Sequence, residues 1–359
     1  MKMKSNLKVG DWVEVRSKEE ILSTLDATGR LDGMPWMPEM LQFCGRKFQV
    51  YKRAHKSCDY TTPYPYRSRW LDNTVLLDTR CDGSAHAGCQ AQCTILWREA
   101  WLKPAVGNAT LHSRSGPVQL ARRVDSGATG GCTESELLSH THVIDPSDQS
   151  TKYVCQMTEL LKASKPLAWW DVRQYVEDFV SGNTSLRRLA TGFIYSLYYH
   201  ISQSGIGVGP AMRWCYNKFR WVWRGSLFPR KPGTIAAGKP TPTVVLNLQP
   251  GELVRVKSHE EILKTVTEDN LNRGMYWDAE LVPYCGGTYR VRSRVSKLIN
   301  ERTGKMVEMK NPCIVLDSVV CQARYSPHRM FCPRAMFPYW REIWLERVEE
   351  SRVQSVAAE

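Results

Sequence analysis

The chain has 12 cysteines but no Cys-x-x-Cys pair. That absence sets aside the compact zinc ribbons and fingers, whose ligands stand two to four residues apart. There is also no phosphate-binding GxxxxGK[ST] loop, no GxGxxG, no GxSxG elbow and no HExxH helix. Nucleotide-binding, α/β-hydrolase and zincin chemistry therefore leave no signature. Long apolar runs are missing as well: the most apolar stretch, around Ile194 to Ile201, is too short and too mixed to span a bilayer. MKMKSNLKVGDW has no apolar run after its lysines, so it does not read as a secretory signal. A cytoplasmic protein without a transmembrane segment is the expectation. In that compartment cysteines serve as metal ligands, catalytic groups or buried apolar side chains rather than as disulfides. The last absence is of negative charge. No acidic residue occurs between Asp178 and Glu252, while nine basic ones do, and residues 105–248 hold more than half of the net charge of +13.

What the sequence does contain is a repeat. Residues 7–25 (LKVGDWVEVRSKEEILSTL) align without a gap on residues 248–266 (LQPGELVRVKSHEEILKTV). The same offset carries Gly33, Met34, Trp36 and Glu39 onto Gly274, Met275, Trp277 and Glu280, and Cys44-Gly45 onto Cys285-Gly286. After loops of unequal length the match returns: Leu77-Asp78 with Leu316-Asp317, Cys81 with Cys321, Cys89 with Cys332, and WREAWL (97–102) with WREIWL (340–345).

Each copy opens with a Gly-containing turn and alternating apolar residues, Val13 and Val15 or Val254 and Val256, which predicts a first strand. Ser17 with Glu20, and Ser258 with Glu261, predict capping boxes that start a short helix. Alternation returns at Phe48–Val50, Tyr289–Val291, Val75–Leu77 and Ile314–Leu316, and places the two tryptophans of WREAWL or WREIWL on one strand face. The GDWVEV opening and the short closing strand resemble those of SH3-like barrels, a likeness of fold that implies no activity. The predicted fold is mainly β: two duplicated SH3-like barrels, 1–104 and 248–348, separated by a flexible linker (105–150) and a helical, basic-aromatic insert (151–247), with a disordered tail (349–359). In the insert, Met157, Leu160 and Leu161 predict one apolar helical face, and Val172, Tyr175, Val176 and Phe179 another. Asn183 or Ser185 is placed to cap a longer helix through His200.

The repeat sorts the cysteines. Cys44, Cys81 and Cys89 have counterparts in Cys285, Cys321 and Cys332, and each copy carries a histidine in the loop between its last two cysteines, His86 and His328. Cys44, Cys81, His86 and Cys89 form one candidate site of three thiolates and an imidazole; Cys285, Cys321, His328 and Cys332 form the other. Cys93 offers an all-thiolate set in the first copy alone, since Met336 takes its place in the second. Zinc suits the mixed sets, and an iron–sulfur cluster is the alternative for four cysteines. The competing reading is that these cysteines are small buried apolar side chains. His55 and Cys58, in a basic stretch, form a candidate nucleophile pair set against the plainer reading of an exposed basic loop.

In RWCYNKFRWVWR, Arg213, Lys218, Arg220 and Arg224 interleave with five aromatic residues, as in surfaces that grip an anionic ligand, nucleic acid or a membrane. The plainer reading is a strand or helix packed on a barrel; as a strand it puts Phe219, Trp221 and Trp223 in the core. Two functions remain. One is a metal-binding tandem-barrel interaction or scaffold protein that contacts an anionic or protein partner through residues 212–224. The other is a metal-dependent or redox tailoring enzyme with its active centre in the first copy. The shared acids Glu39/Glu280, Asp78/Asp317 and Glu99/Glu342 are candidate general bases, set against the plainer reading that they hold turns or pair with Arg98 or Arg341; none is assigned to catalysis.

Overall fold

A computed structural model describes residues 7–62, 67–105, 131–205, 207–223 and 227–348. The tail 349–359, most of the expected linker and Arg224 lie outside the described residues.

The opening turns behave as the glycines require. Gly10 and Gly251 both take positive φ, a conformation that a side chain would strain. Strands Trp12–Val15 and Leu253–Val256 follow, with Val13, Val15, Val254 and Val256 fully buried. Both capping boxes form. Ser17 Oγ accepts the Glu20 N–H at 3.2 Å while Glu20 accepts the Ser17 N–H at 2.9 Å; the Ser258–Glu261 distances are 3.3 and 2.9 Å.

The described architecture is mostly β, with antiparallel sheets that form two half-barrels and few helices. The first sheet runs Thr94–Arg98, Thr74–Arg80, Lys47–Arg53, Trp12–Val15, Leu102–Pro104. The second runs Met306–Leu316, Thr288–Ile299, Leu253–Val256, Leu345–Arg347, and an isolated bridge from Ile314 to Trp340 stands where the first sheet has its outer strand. The register agrees residue for residue: Val13 faces Phe48 as Val254 faces Tyr289. Irregularities fall at the same place, between Val50 and Lys52 and between Val291 and Ser293. Each half-barrel closes on three tryptophans packed edge to face. The Trp36 centroid lies 5.6 Å from that of Trp97 and 5.0 Å from that of Trp101; Trp277 lies 5.8 Å from Trp340 and 5.0 Å from Trp344. The closing tryptophans do not share a strand, however. Trp101 and Trp344 sit in one-turn 3-10 helices that fold back over the core.

The halves part after the bulge. In the second, Thr288–Ile299 continues as one long hairpin with Met306–Leu316. In the first, the chain breaks at Ala54-His55, and Lys56–Asp59 joins a separate sheet with Arg67–Trp70 and Lys165–Leu167.

The insert departs from expectation in three places. Residues 131–150 of the expected linker contain a helix, Glu134–Ser139, capped by Thr133, and the first strand of a hairpin, His142–Ile144 with Thr151–Tyr153. Met157 and Leu160 are buried in turns against the first core rather than in a helix. Helices Arg173–Val180 and Leu186–Ser202 do form, the second capped by Ser185, but of the stripe Val172, Tyr175, Val176 and Phe179 only Tyr175 is buried. Among the described residues, no helix is long and apolar enough to cross a membrane.

Candidate functional site

The loop after the strand Thr74–Arg80 is held from inside. Gly83 takes positive φ, and a Cβ there would lie 2.1 Å from the Cys89 carbonyl oxygen, so the loop closes only on glycine. Buried Glu39 accepts the Ala85 N–H at 3.1 Å and pairs with His86 Nδ1 at 2.5 Å. His86 Nε2 donates to the Val154 carbonyl at 2.9 Å. With acceptors at both nitrogens, the ring is best served by its doubly protonated form. Burial alone would lower the His86 pKa, but the Glu39 hydrogen bond and charge outweigh it and the pKa is raised. Both His86 nitrogens thus have partners, Glu39 and Val154, in place of the metal expected for the three-thiolate, one-imidazole set.

The second copy uses its carboxylate in the same manner with different donors. Glu280 accepts the N–H groups of Arg324 and Tyr325 at 3.0 and 2.5 Å and the Ser326 hydroxyl at 3.0 Å. Its loop histidine, His328, turns instead towards His200, ring centroids 6.3 Å apart. Glu39 and Glu280 each hold the N–H groups of their own loop.

The thiols segregate in a way the repeat did not predict. Cys81, Cys89 and Cys93 line a chamber of about 30 Å³ together with Cys155, which comes from the insert; Met37, Met157 and Ile299 help to close it. Burial raises the Cys81 pKa and pushes Cys93 up to about 12 and Cys155 up to about 11, which keeps these thiols protonated in the absence of a cation. Cys44 packs elsewhere against the first core, near Glu19 and Lys18. Cys285 packs against the second core, where burial pushes it up to about 12. Cys321 and Cys332 join Cys58 in a third cluster. The second copy's candidate ligands thus stand in three separate surroundings. Among the described residues, no group of three or more His, Cys, Asp or Glu side chains stands in metal-holding geometry.

A larger cavity, about 400 Å³, opens beside the chamber. Cys89, Cys93 and Cys155 border both spaces; Glu280, Cys321, Met336 and Phe337, from the second half-barrel, line the larger one alone. Such a volume is typical of small-molecule and cofactor sites. Behind its wall lies Arg334, 1% exposed and paired with Glu301. Its guanidinium reaches Cys58 Sγ at 3.9 Å and Cys93 Sγ at 4.0 Å, linking the two thiol clusters. Although burial opposes the charge, Glu301 and the neighbouring thiols hold Arg334 firmly protonated. Cys155, Glu301 and Arg334 have no counterpart signal in the repeat, so the pattern of the sequence did not single them out. One signal was available: the Cys81 N–H bonds to the Cys93 carbonyl at 2.9 Å just as the Cys321 N–H bonds to Met336 at 2.8 Å, confirming that Met336 stands in place of a thiol.

His55 and Cys58 are not a pair. His55 donates from Nε2 to the Gln174 carbonyl at 3.0 Å, and burial with the neighbouring Lys56 charge lowers its pKa to about 3. Lys56 forms a buried ion pair with Asp178 at 2.6 Å, fastening this strand to the helix Arg173–Val180. Cys58 looks instead to Cys332.

The basic-aromatic segment is helical, Gly209–Lys218 then Arg220–Trp223, and not a strand. Tyr216 is its buried aromatic anchor; Trp214 is 65% and Trp221 73% exposed, which overturns the core position expected for Trp221. Lys218 and Arg220 are exposed, and Arg213 is half-buried.

Comparison with protein-family models, curated proteins and solved structures finds no match.

Proposed function

We propose that the chain is a non-enzymatic binding protein: two duplicated SH3-like barrels docked around a single all-thiolate metal centre, with an insert whose outer face meets an anionic surface. The observation that supports the metal reading is that Cys81, Cys89, Cys93 and Cys155 line one small chamber. Four thiols suit zinc, and they suit an iron–sulfur cluster as the alternative. Loading requires the thiols to turn inward and lose their protons, so affinity falls as the medium is acidified. A bound metal would supply the positive charge that stabilises the thiolates in this apolar setting.

Metal analysis of protein purified without added metal is the test. The expected result is near one zinc per chain, lost in Cys93→Ser and Cys155→Ser and kept in Cys44→Ser and Cys285→Ser. Metal-free protein overturns the reading. Iron with visible absorption decides for the redox alternative.

The insert supports the second half of the reading. Beside Trp214 and Trp221 it exposes Trp170, Val172, Val176, Leu186 and Leu197, each at least 60% exposed. Tyr175 meets Phe193 with centroids 4.9 Å apart and Trp169 stacks on His200 at 5.5 Å, so the faces of the two helices adjoin. Aliphatic side chains enter a lipid headgroup layer but do not stack on bases, which favours an anionic membrane surface over nucleic acid. Co-sedimentation with phosphatidylcholine vesicles, with and without phosphatidylserine, should show binding only to the anionic ones, weakening with salt. Equal binding to both, or tighter binding to single-stranded RNA, counts against a membrane.

A further inference from the structure

We infer that Cys58 and Cys332 form a reversible dithiol/disulfide couple that joins the two halves of the molecule. The two residues come from opposite halves yet share one buried cluster with Ala323, and Tyr60, Cys321 and Met336 pack against it. The Cys58 backbone N–H donates to Cys332 Sγ at 3.1 Å, and the Cys332 thiol in turn hydrogen-bonds to Cys58. The Cys332 sulfur is thus held against the Cys58 backbone inside one buried cluster. Arg334 fixes a positive charge 3.9 Å from Cys58 Sγ, and Arg329 stands nearby, 2.9 Å from Asp278.

The surroundings make the pair unequal. The hydrogen bond from Cys332, aided by the charges of Arg334 and Arg329, lowers the Cys58 pKa to about 6 in spite of burial, while Cys332 is driven well above its ordinary value. Cys58, with the Arg334 guanidinium 3.9 Å from its sulfur, is the attacking thiol and Cys332 the resolving one. Access comes through the larger cavity: Tyr60, Cys321 and Met336 pack against the pair on one side and line that cavity on the other. A small oxidant therefore has one layer of side chains to pass.

With a hydroperoxide as oxidant the steps balance. The Cys58 thiolate attacks the peroxide oxygen, the O–O bond breaks, and the leaving oxygen takes a proton to depart as water or an alcohol, leaving Cys58 as a sulfenic acid. The Cys332 sulfur then displaces that hydroxyl, which leaves as water with the Cys332 proton. Two thiols lose two electrons and the peroxide gains them. A thiol reductant reverses the bond by exchange.

The test is thiol mapping of the full-length protein after brief hydrogen peroxide treatment, by mass spectrometry of non-reduced peptides. A Cys58–Cys332 cross-link that disappears with dithiothreitol is expected. In Cys332→Ser, Cys58 should accumulate as a dimedone-reactive sulfenic acid faster than Cys332 does in Cys58→Ser. A Cys58–Cys321 link, or both thiols remaining reduced while other cysteines oxidise, overturns the inference. The wild-type map alone decides if either variant fails to fold. Chelator-treated and untreated samples should give the same cross-link, so this result stands apart from the metal reading.

Discussion

The two halves of the molecule share a frame and differ in contents. Each has a strand led in by a glycine turn, a capped helical turn, a bulge at the same position, three crossed tryptophans and one buried glutamate that gathers the N–H groups of a loop. An ion pair recurs too: Arg53 with Glu99 at 2.8 Å and Arg294 with Glu342 at 2.9 Å. Both arginines also bond the carbonyl that opens their half, Leu7 at 3.1 Å and Leu248 at 2.7 Å. The cysteines, although they recur in the alignment, do not recur in surroundings. Repetition in sequence marked the parts that hold the barrel shut, whereas each thiol cluster combines repeated cysteines with residues outside the repeat, Cys93 and Cys155 in one and Cys58 in the other.

The strongest way to break the comparison is through the tryptophans. Trp36→Ala and Trp277→Ala each remove a nearly fully buried indole and should each cost about 3–5 kcal/mol in urea unfolding. A large difference between them would show that the halves do not close alike. The ion pairs sharpen the contrast. Glu342 also accepts the N–H groups of Leu246 and Leu248 at 2.8 and 2.9 Å, whereas one oxygen of Glu99 has no hydrogen-bond partner. Arg53→Met should therefore destabilise more than Arg294→Met, by about 1–2 kcal/mol in the same measurement.

The histidines give a smaller effect with opposite signs. His86, whose pKa is raised on folding, contributes stability that is complete below about pH 6.5 and is lost as pH climbs through its folded value. His55, lowered to about 3, contributes stability that is complete above about pH 6.5 and drains away as pH falls towards 3. Unfolding free energies from pH 4 to 9 should lose their alkaline decline in His86→Gln and part of their acid decline in His55→Gln. The smallest expected effect is Cys44→Ser beside Cys285→Ser: neither touches a thiol cluster, and metal content should stay unchanged in both.

Local signals made much of the frame legible. The Ser17 and Ser258 capping boxes, the alternating strands and the Ser185 cap are written in four to eight consecutive residues, and each formed. The site was far less legible, because its members meet only after distant segments dock. Nothing near Cys155 says that it will face Cys89, and His86 reads as a ligand until Glu39 and Val154 are seen to occupy both nitrogens. The aromatic segment misled for a related reason. Its alternation fits a strand, but Pro210 in the first turn starts a helix and leaves Tyr216 as the buried aromatic.

Ile299 closes the small chamber, and it belongs to the hairpin of the second half, 144 residues after Cys155. During synthesis at about 5–20 residues per second, Cys155 emerges roughly 7 to 30 seconds before that lid exists, and the three first-half thiols earlier still. For that interval the thiols stand open to solvent, metal-delivery partners and oxidants. The chamber is thus completed only when the C-terminal half arrives, and the timing is fixed by the order of the chain.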